Sequence, residues 1–521
     1  MPRTSVHKVV VTNETALRAK YGTAYEAQIK PAIAALVAAD KARGLKTVMI
    51  AIDSAQMAKY RVKPVAKAGD ARQCKNAVDA IYQALRPAYI CILGSVDVVP
   101  HVELVNPIKS DGDDVVPSDL PYACAHVFGA KIEDFMAPTR VVGRLPDVTG
   151  GKDAAYLVGV LGTAARAQSV AASKYEPYLG VTAKVWEAST RQSIRNAFGG
   201  EADLQDVPPE GPPWTKRIGR LSHFFNCHGA PADPHFYGQQ GGSYPVAHDA
   251  TRLKGLQRGT VLAAECCYGA ELYDPAKANG QVGLCNAYLA AKAYGFFGSS
   301  TIAYGPADGN GQADLICQYF FEHLLAGASQ GEATLMARQD FLKVLSVADP
   351  SDLKTLAQFN LMGDPSLHPV RPKVAGQSVV EGRTTKAMLR SARDANPEDV
   401  QAASRALRRR HLAAVGESIG QTVTAALTSS MTPARGSVEA VLRAELRKVK
   451  ARPKGIDSFA LRRPRMATAS ALGPIASEGR VDSVHAAVGE LPRGRAPFRR
   501  LYVVVARQQA GQLLLKHLVS R

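Results

Sequence analysis

The chain holds 521 residues, enough for two to four domains at roughly 100–200 residues each. With 46% apolar and 21% charged residues it is neither a disordered polyelectrolyte nor a membrane bundle, and it can bury sizeable cores. Its net charge of +18 is unevenly placed: residues 1–370 carry 36 basic and 35 acidic side chains, residues 371–521 carry 28 and 11. The first part is electrostatically neutral and the last is a cationic module. No charge-free apolar run reaches 18 residues, which argues against a membrane-spanning helix. The opening MPRTSVHKVVVTNETALRAKYG offers only three valines before polar residues return, so it reads as a first strand and not as a secretory signal. Eight cysteines, several inside apolar runs, do not make a disulfide framework, and a cytoplasmic location is the expectation.

Taken in order, HKVVVTN reads as a strand and AYEAQIKPAIAALVAADKARG as a helix, followed by the strand KTVMIAID, the helix DARQCKNAVDAIYQAL and the strand YICILGSVDVVP. Further strands are expected at TRVVGRL, AKVWEAS, LSHFFNC, TVLAAEC and YGFFGSS, with helical periodicity between several of them. Short continuous apolar runs separated by helices predict a mostly parallel sheet covered on both faces, an α/β/α sandwich. Sites in such folds lie at the carboxyl ends of the strands. After Pro369 the texture changes: no cysteine or tryptophan follows, and the stretch 371–400 is polar. Helices are expected at DVQAASRALRRRHLAAVGESIGQTVTAALTSS, SVEAVLRAELRKVKAR and FRRLYVVVARQQAGQLLLKHLVSR, although YVVVA fits a strand equally well. Residues 451–497, with prolines and glycines among arginines, read as a loose connector.

Two strand ends carry chemistry. Leu221-Ser222-His223-Phe224-Phe225-Asn226-Cys227-His228-Gly229 is an apolar run closing on His-Gly, and Thr260 to Gly269 (TVLAAECCYG) is an apolar run closing on cysteine and glycine. In one sheet, His228 and Cys266 would emerge at one rim, where an imidazole titrating near about 6.5 can take the proton of a thiol titrating near about 8.5. The thiolate is the nucleophile, and the N–H groups of Gly229 and the cysteine could form an oxyanion hole. A strand-end histidine is more often an ordinary hydrogen-bonded residue, and a cysteine in an apolar run an inert core residue. Zinc on Cys227, His228, His235, His248, Cys266 and Cys267 lacks the usual ligand spacing. The pairing of two such strands, 38 residues apart, favours the nucleophile.

That pair resembles the caspase-like cysteine peptidases, whose signature is an apolar block ending in His-Gly and a second ending in the nucleophilic cysteine. The closer resemblance is to the gingipain family, over about residues 6–370. Tyr89 to Pro100 (YICILGSVDVVP) is similar to that family's strand ending in a Gly-x-x-x-Ile-Pro turn. Ser118-Asp119-Leu120-Pro121-Tyr122, Val142-Gly143-Arg144 and Gly363-Asp364-Pro365-Ser366-Leu367 resemble its later elements in the same order. The resemblance implies a caspase-like fold and a cysteine endopeptidase using no required cofactor, with His228 as base, Gly229 in the oxyanion hole and Cys266 as nucleophile through its Cys-x-x-Gly spacing. Cys267 matches the caspase-style Cys-x-Gly and is the second candidate. Glu187 is a candidate supporting acid. The family's preference for basic residues comes from an acid slightly further on; Thr190 to Arg195 holds none, so that preference does not carry over. Gingipains also carry a signal and propeptide, of which this chain shows neither. Asp111, Asp113 and Asp114 are candidate calcium ligands, set against the plainer reading of a solvated turn.

The expected organisation is an N-terminal α/β subdomain at 1–148, a caspase-like catalytic subdomain at 149–370 and a basic, mainly helical module at 371–521. Protein or peptide substrates are expected for the enzyme. The alternative is a catalytically silent scaffold whose basic module, dense in arginine at Arg405–Arg410 and Leu461–Arg465, binds nucleic acid or an acidic partner. Exposed arginines in 451–497 are also candidate sites of self-cleavage.

Overall fold

The computed structural model describes residues 6–306, 309–345, 349–372, 429–431, 437–461, 481–509 and 512–521. In chain order the strands are β1 (Lys8–Thr12), β2 (Thr47–Ala51), β3 (Tyr89–Leu93), β4 (Val102–Val105), β5 (Val115–Ser118), β6 (Val141–Leu145), β7 (Tyr178–Ala183), β8 (Leu204–Val207), β9 (Ser222–Asn226) and β10 (His235–Tyr237). They continue as β11 (Val246–Asp249), β12 (Val261–Ala264), β13 (Gly295–Ser299), β14 (Tyr304–Pro306), β15 (Phe359–Gly363), β16 (Ser429–Met431), β17 (Arg452–Leu461), β18 (Val481–Glu490), β19 (Leu501–Gln509) and β20 (Gln512–Ser520).

Ten of these form one sheet in the order β2-β1-β3-β6-β15-β13-β12-β9-β7-β8. Every neighbouring pair is parallel except β13 with β15. Strands covered on both faces need apolar residues throughout, and KVVVT, YICIL and VLAA are buried at every position. The covering helices start where the sequence supplies caps. Asp70 accepts from the Gln73 amide at the head of Ala71–Leu85, and Ser329 with Glu332 forms a capping box on Gln330–Val344. The expected α/β/α sandwich is present, and one sheet runs through both the N-terminal and the catalytic parts, which meet where Met362 of β15 pairs with Arg144 of β6.

Three of the motifs read from the sequence meet in one buried cluster. Arg144, fully buried, donates to both carboxylate oxygens of Asp119 (2.6 and 2.9 Å) and to the carbonyls of Gly94 and Val99 (2.9 and 2.7 Å). The Tyr122 hydroxyl donates to the Pro100 carbonyl at 2.8 Å. Asp364, from the Gly-Asp-Pro motif, pairs with buried Lys8, which also meets Asp40 at 3.0 Å, so the end of β15 is tied to β1.

The C-terminal module departs from the expectation of a mainly helical unit. Among the described residues the helix Ser437–Lys448 forms where SVEAVLRAELRKVKAR was expected to be helical, but the rest is an antiparallel sheet in the order β14-β20-β19-β18-β17-β16. The segment read as a final helix, FRRLYVVVARQQAGQLLLKHLVSR, supplies β19 and β20, because three consecutive valines favour a pleated surface and Leu501, Val503, Val504 and Val505 are buried there. The segment read as a connector supplies β17 and β18, and its Pro453 is accommodated at a register shift between Pro453 and Gly455. The module packs its own core, Leu442 and Leu446 against Ala487, Val504 and Ala506. The helix expected from Asp399 and the patch Arg405–Arg410 lie outside the described residues, as does Arg462–Arg465. No helix among the described residues is long and apolar enough to cross a membrane.

Candidate active site

β9 and β12 are parallel neighbours in register, Ser222 beside Val261 and Phe225 beside Ala264, so both chains leave the sheet at the same rim. Beyond that rim lie Cys227-His228-Gly229 on one side and Glu265-Cys266-Cys267 on the other. His228 is held by a two-way backbone bridge to Tyr237 (2.8 and 2.9 Å). Its ring packs against Trp186 (centroids 4.3 Å), Phe498 (4.6 Å) and Tyr244 (5.9 Å). The imidazole Nε2 lies 2.7 Å from Gln239 Oε1. Gln239 uses its amide N–H groups on the Gly241 carbonyl and the Tyr244 hydroxyl, so its oxygen faces the ring and the ring hydrogen sits on Nε2. Nδ1, buried and without a hydrogen-bond partner, is left as the free lone pair. Burial, offset in part by the Gln239 bond, lowers the imidazole pKa to about 3, so the ring is neutral at ordinary pH.

The two adjacent cysteines face different surroundings. Cys266, fully buried, directs its sulfur to the Phe225 carbonyl at 3.9 Å and to Cys227; burial and then Cys227 push its thiol pKa well up. Cys267 lies at the rim. Its sulfur accepts from the Ala303 N–H at 3.2 Å, and its own N–H donates to the main-chain oxygen of Arg521 at 3.3 Å. Burial raises this thiol too, while the Ala303 amide works in the opposite direction by stabilising the thiolate. Gly229 packs on the Cys267 backbone so closely that a Cβ there would run into the Cys267 carbonyl oxygen. Gly229 therefore lies beside Cys267, and the Cys266 sulfur lies in the core.

The rim is covered by the C-terminal module. Arg521 is fully buried, and its Nη2 reaches both carboxylate oxygens of Asp314 (2.9 and 3.0 Å) and the Pro306 carbonyl (3.2 Å). The guanidinium lies 4.5 Å from the centre of the Trp186 ring, which also packs on the His228 imidazole. Asp314 is held from behind by Asn226 Nδ2 (3.2 Å) and the Ser189 hydroxyl (3.4 Å). Beside it the Glu265 carboxyl is fully buried, and burial followed by the Asp314 charge raises its pKa well above the ordinary carboxylate range. A cavity of about 200 Å³ next to this cover is lined by Val185, Trp186, His228, Gln239, Val519 and Ser520, among others.

Other expected residues are placed elsewhere. Glu187 pairs with Lys184 and with Arg191 (2.7 Å), and His228 takes Gln239 as its partner. Two of the three aspartates considered for calcium hold an ammonium: Lys354 Nζ meets Asp111 at 2.6 Å and Asp113 at 2.5 Å, and Asp113 also accepts from Tyr268 and from the Ile302 amide. Of the residues considered for zinc, His235 bonds Asp233 and His248 bonds Tyr288. Sequence analysis did not single out Trp186, Gln239, Asp314 or Arg521. Two of them carried a readable signal: Trp186 follows a strand at its carboxyl end, and Asp314 is an acid in the first turn of the apolar helix Gln312–Leu325.

A mostly parallel, helix-covered sheet with a histidine and two cysteines beyond one rim is consistent with a caspase-like fold. Residues 218–370 match the model of peptidase family C25, a family of cysteine peptidases, in agreement with the gingipain resemblance of the motifs. The matched segment contains β9, β12, β13, β14 and β15 and so both strand ends of the site. No curated protein matches the chain.

Proposed function

We propose that the chain is a cysteine endopeptidase in which His228 is the base and Cys267, the second of the two candidates from the sequence, is the nucleophile. The observation that carries this reading is the Cys267 N–H on a main-chain carbonyl oxygen, the position of an oxyanion donor, next to Gly229. The free Nδ1 of His228 and the Ala303 amide on the Cys267 sulfur support it. Cys266 serves as packing between β9 and β12. The Cys267 thiol gives its proton to His228 Nδ1 as sulfur bonds to the substrate carbonyl carbon. The carbonyl π pair moves to the oxygen, which the Cys267 and Gly229 N–H groups receive. When the C=O re-forms, the C–N bond breaks and the amine leaves with the proton from Nδ1. Water, deprotonated by the same nitrogen, then hydrolyses the thioester.

Part of the module's positive charge is used within the molecule: Arg507, Lys516 and Arg521 pair with Asp349, Asp352 and Asp314. This favours a covering role over the scaffold alternative. The test is turnover of a broad peptide library by wild type, Cys267→Ala, Cys266→Ala and His228→Ala. Cys267→Ala and His228→Ala should lose about 10⁴–10⁶-fold. Cys266→Ala should stay within about tenfold of wild type. The reverse order of the two cysteines would return the nucleophile to Cys266, and equal turnover by all four proteins would remove the mechanism.

A further inference from the structure

We infer that Glu271 is a positioning residue whose carboxylate clamps the loop after His228 to the turn at Cys267 and so sets the two N–H groups of the oxyanion hole; this rests on the peptidase reading above. Gly229 opens the loop 229–234, which runs from the base to β10, and Cys267 opens the turn 267–270. The two segments touch through the Gly229 and Cys267 backbones, a packing contact with no directional bond of its own. Glu271 supplies the direction. Its N–H donates to the Tyr268 carbonyl at 3.0 Å, which fixes it to the cysteine side, while its Oε2 accepts the Ala232 N–H at 2.7 Å on the histidine side. One side chain thus bridges the two segments, four residues past Cys267 and three past Gly229.

Both segments hold a residue in the left-handed region that a Cβ disfavours, Ala232 at φ +49° and Tyr268 at φ +55°. Such residues persist where their surroundings over-determine them. Tyr268 is fixed by its hydroxyl on Asp113 (2.6 Å) and its N–H on the Thr301 carbonyl (2.9 Å). Ala232 is fixed by Glu271, and its neighbour Asp233 accepts from the His235 N–H (3.0 Å) and the Tyr237 hydroxyl (2.8 Å). Tyr237 in turn carries the backbone bridge to His228. Burial raises the Glu271 carboxyl to about 7; the Ala232 amide and then Lys277 oppose it, and Asp113 adds to it. Tyr268, Tyr273 and Cys285 also face this carboxyl, and Asp233 faces Tyr273. Burial raises the two phenols and the thiol, so they stay neutral while Glu271 titrates. A carboxylate holds an N–H about twice as strongly as a neutral acceptor does. The clamp is therefore tight above neutrality and slack below it, and turnover steps between two plateaus as Glu271 ionises. That step is separate from the His228 limb, which lies near 3.

The experiment uses the full chain with its Glu271→Gln and Glu271→Ala variants, each first checked for a cooperative melting transition. Glutamine keeps an acceptor oxygen and removes the titration; alanine removes both. Hydrogen exchange of the peptide 229–235, corrected for the intrinsic rate, is read by mass spectrometry at pH 6 and pH 8, and kcat and KM are measured from pH 5 to pH 9 on the library peptides cleaved fastest. Wild-type protection should rise about fivefold between the two pH values, while Glu271→Gln shows no rise and Glu271→Ala loses protection at both. Wild-type kcat should rise by a similar factor with a midpoint near pH 7 and an unchanged KM. Glu271→Gln should stay on the lower plateau throughout, and Glu271→Ala should lose about 10–100-fold in kcat. A merely structural side chain would lower the melting temperature of both variants and leave the step in Glu271→Gln. Turnover whose step survives in Glu271→Gln, or protection that Glu271→Ala does not change, would overturn the inference and leave the peptidase reading standing. The expected exchange pattern with no turnover by any of the three proteins would sink the peptidase reading and keep the clamp.

Discussion

The Phe498 ring lies 4.6 Å from the His228 imidazole, centroid to centroid, at an interplanar angle of 36°. A residue of the C-terminal module thus forms one wall around the proposed base, which is 2% exposed. Burial disfavours the imidazolium, and this is the leading reason its pKa falls to about 3. Phe498→Ala admits water to that face and should raise the imidazole pKa by one unit or more toward the ordinary value. The base must be neutral to accept the thiol proton, so the acid limb of kcat/KM should move up by the same amount. NMR titration of the histidine ring reads the pKa directly and does not depend on turnover; an unchanged titration would show that Phe498 does not control the ring's exposure.

Gly229 and Cys267 meet through their backbones, with no space for a methyl group between them. In Gly229→Ala the new Cβ must push the Cys267 carbonyl, which moves the Cys267 N–H from its acceptor. Overpacking of this kind costs about 1–3 kcal/mol in stability. A displaced oxyanion donor costs about 10²–10³ in kcat. A variant that melts within a few degrees of wild type and keeps its kcat would show that this contact does not position the amide.

Arg144 and Asp119 are both buried, and the Coulomb attraction of Arg144, then of His101, outweighs the burial that would raise the Asp119 carboxyl, holding it well below the usual range. Its folded pKa is depressed, so the stability it contributes is present above the unfolded value near 3.8 and is lost as pH falls below it. Arg144→Met leaves Asp119 buried without its main partner and should cost about 3–5 kcal/mol at pH 7 by urea titration. The cost should shrink at pH 3, where the unfolded chain already binds the proton. A loss under about 1 kcal/mol at pH 7 would assign the pair a minor role.

What the sequence made legible follows from what each pattern encodes. The parallel sheet was readable because strands buried on both faces need uninterrupted apolar runs, and KVVVT, YICIL and VLAA are such runs. The spacing of the motifs was readable, but not their meeting: Gly94, Asp119 and Arg144 are partners in one buried ion-pair cluster. The rim shared by His228 and the cysteines was legible from two strand ends. Which of Cys266 and Cys267 turns into the core was not, because adjacent residues leaving a strand point to opposite sides and nothing in the composition fixes which side is the core. The module was misread because an alternating Leu-Tyr-Val-Val-Val stretch beside Arg and Gln satisfies helical and strand periods alike, and only its pairing with β18 and β20 decides. Trp186, Asp314 and Arg521 come together from three distant parts of the chain, a juxtaposition that no local pattern contains.

His223 and His248 share one hydroxyl: Tyr288 Oη is 3.0 Å from His223 Nδ1 and 2.9 Å from His248 Nε2. All three side chains are fully buried. The hydroxyl can donate its one hydrogen to a single imidazole, which must then be neutral, and accept from the other. Burial lowers both pKa values to about 3, and for His223 the neighbouring His248 adds to the effect. In the unfolded chain each imidazole titrates near 6.5, so below that pH the unfolded state binds protons that the folded state refuses. Stability is therefore complete above pH 6.5 and declines as pH falls toward 3. Replacing His223 by Gln removes one of these titrations while keeping a hydrogen-bonding group beside Tyr288. The variant should be less stable than wild type at pH 7 and should lose less stability than wild type between pH 7 and pH 4, by at least about 1 kcal/mol in urea titrations at the two pH values. Parallel losses in the two proteins would mean that His223 titrates normally in the folded chain and that burial does not hold it neutral.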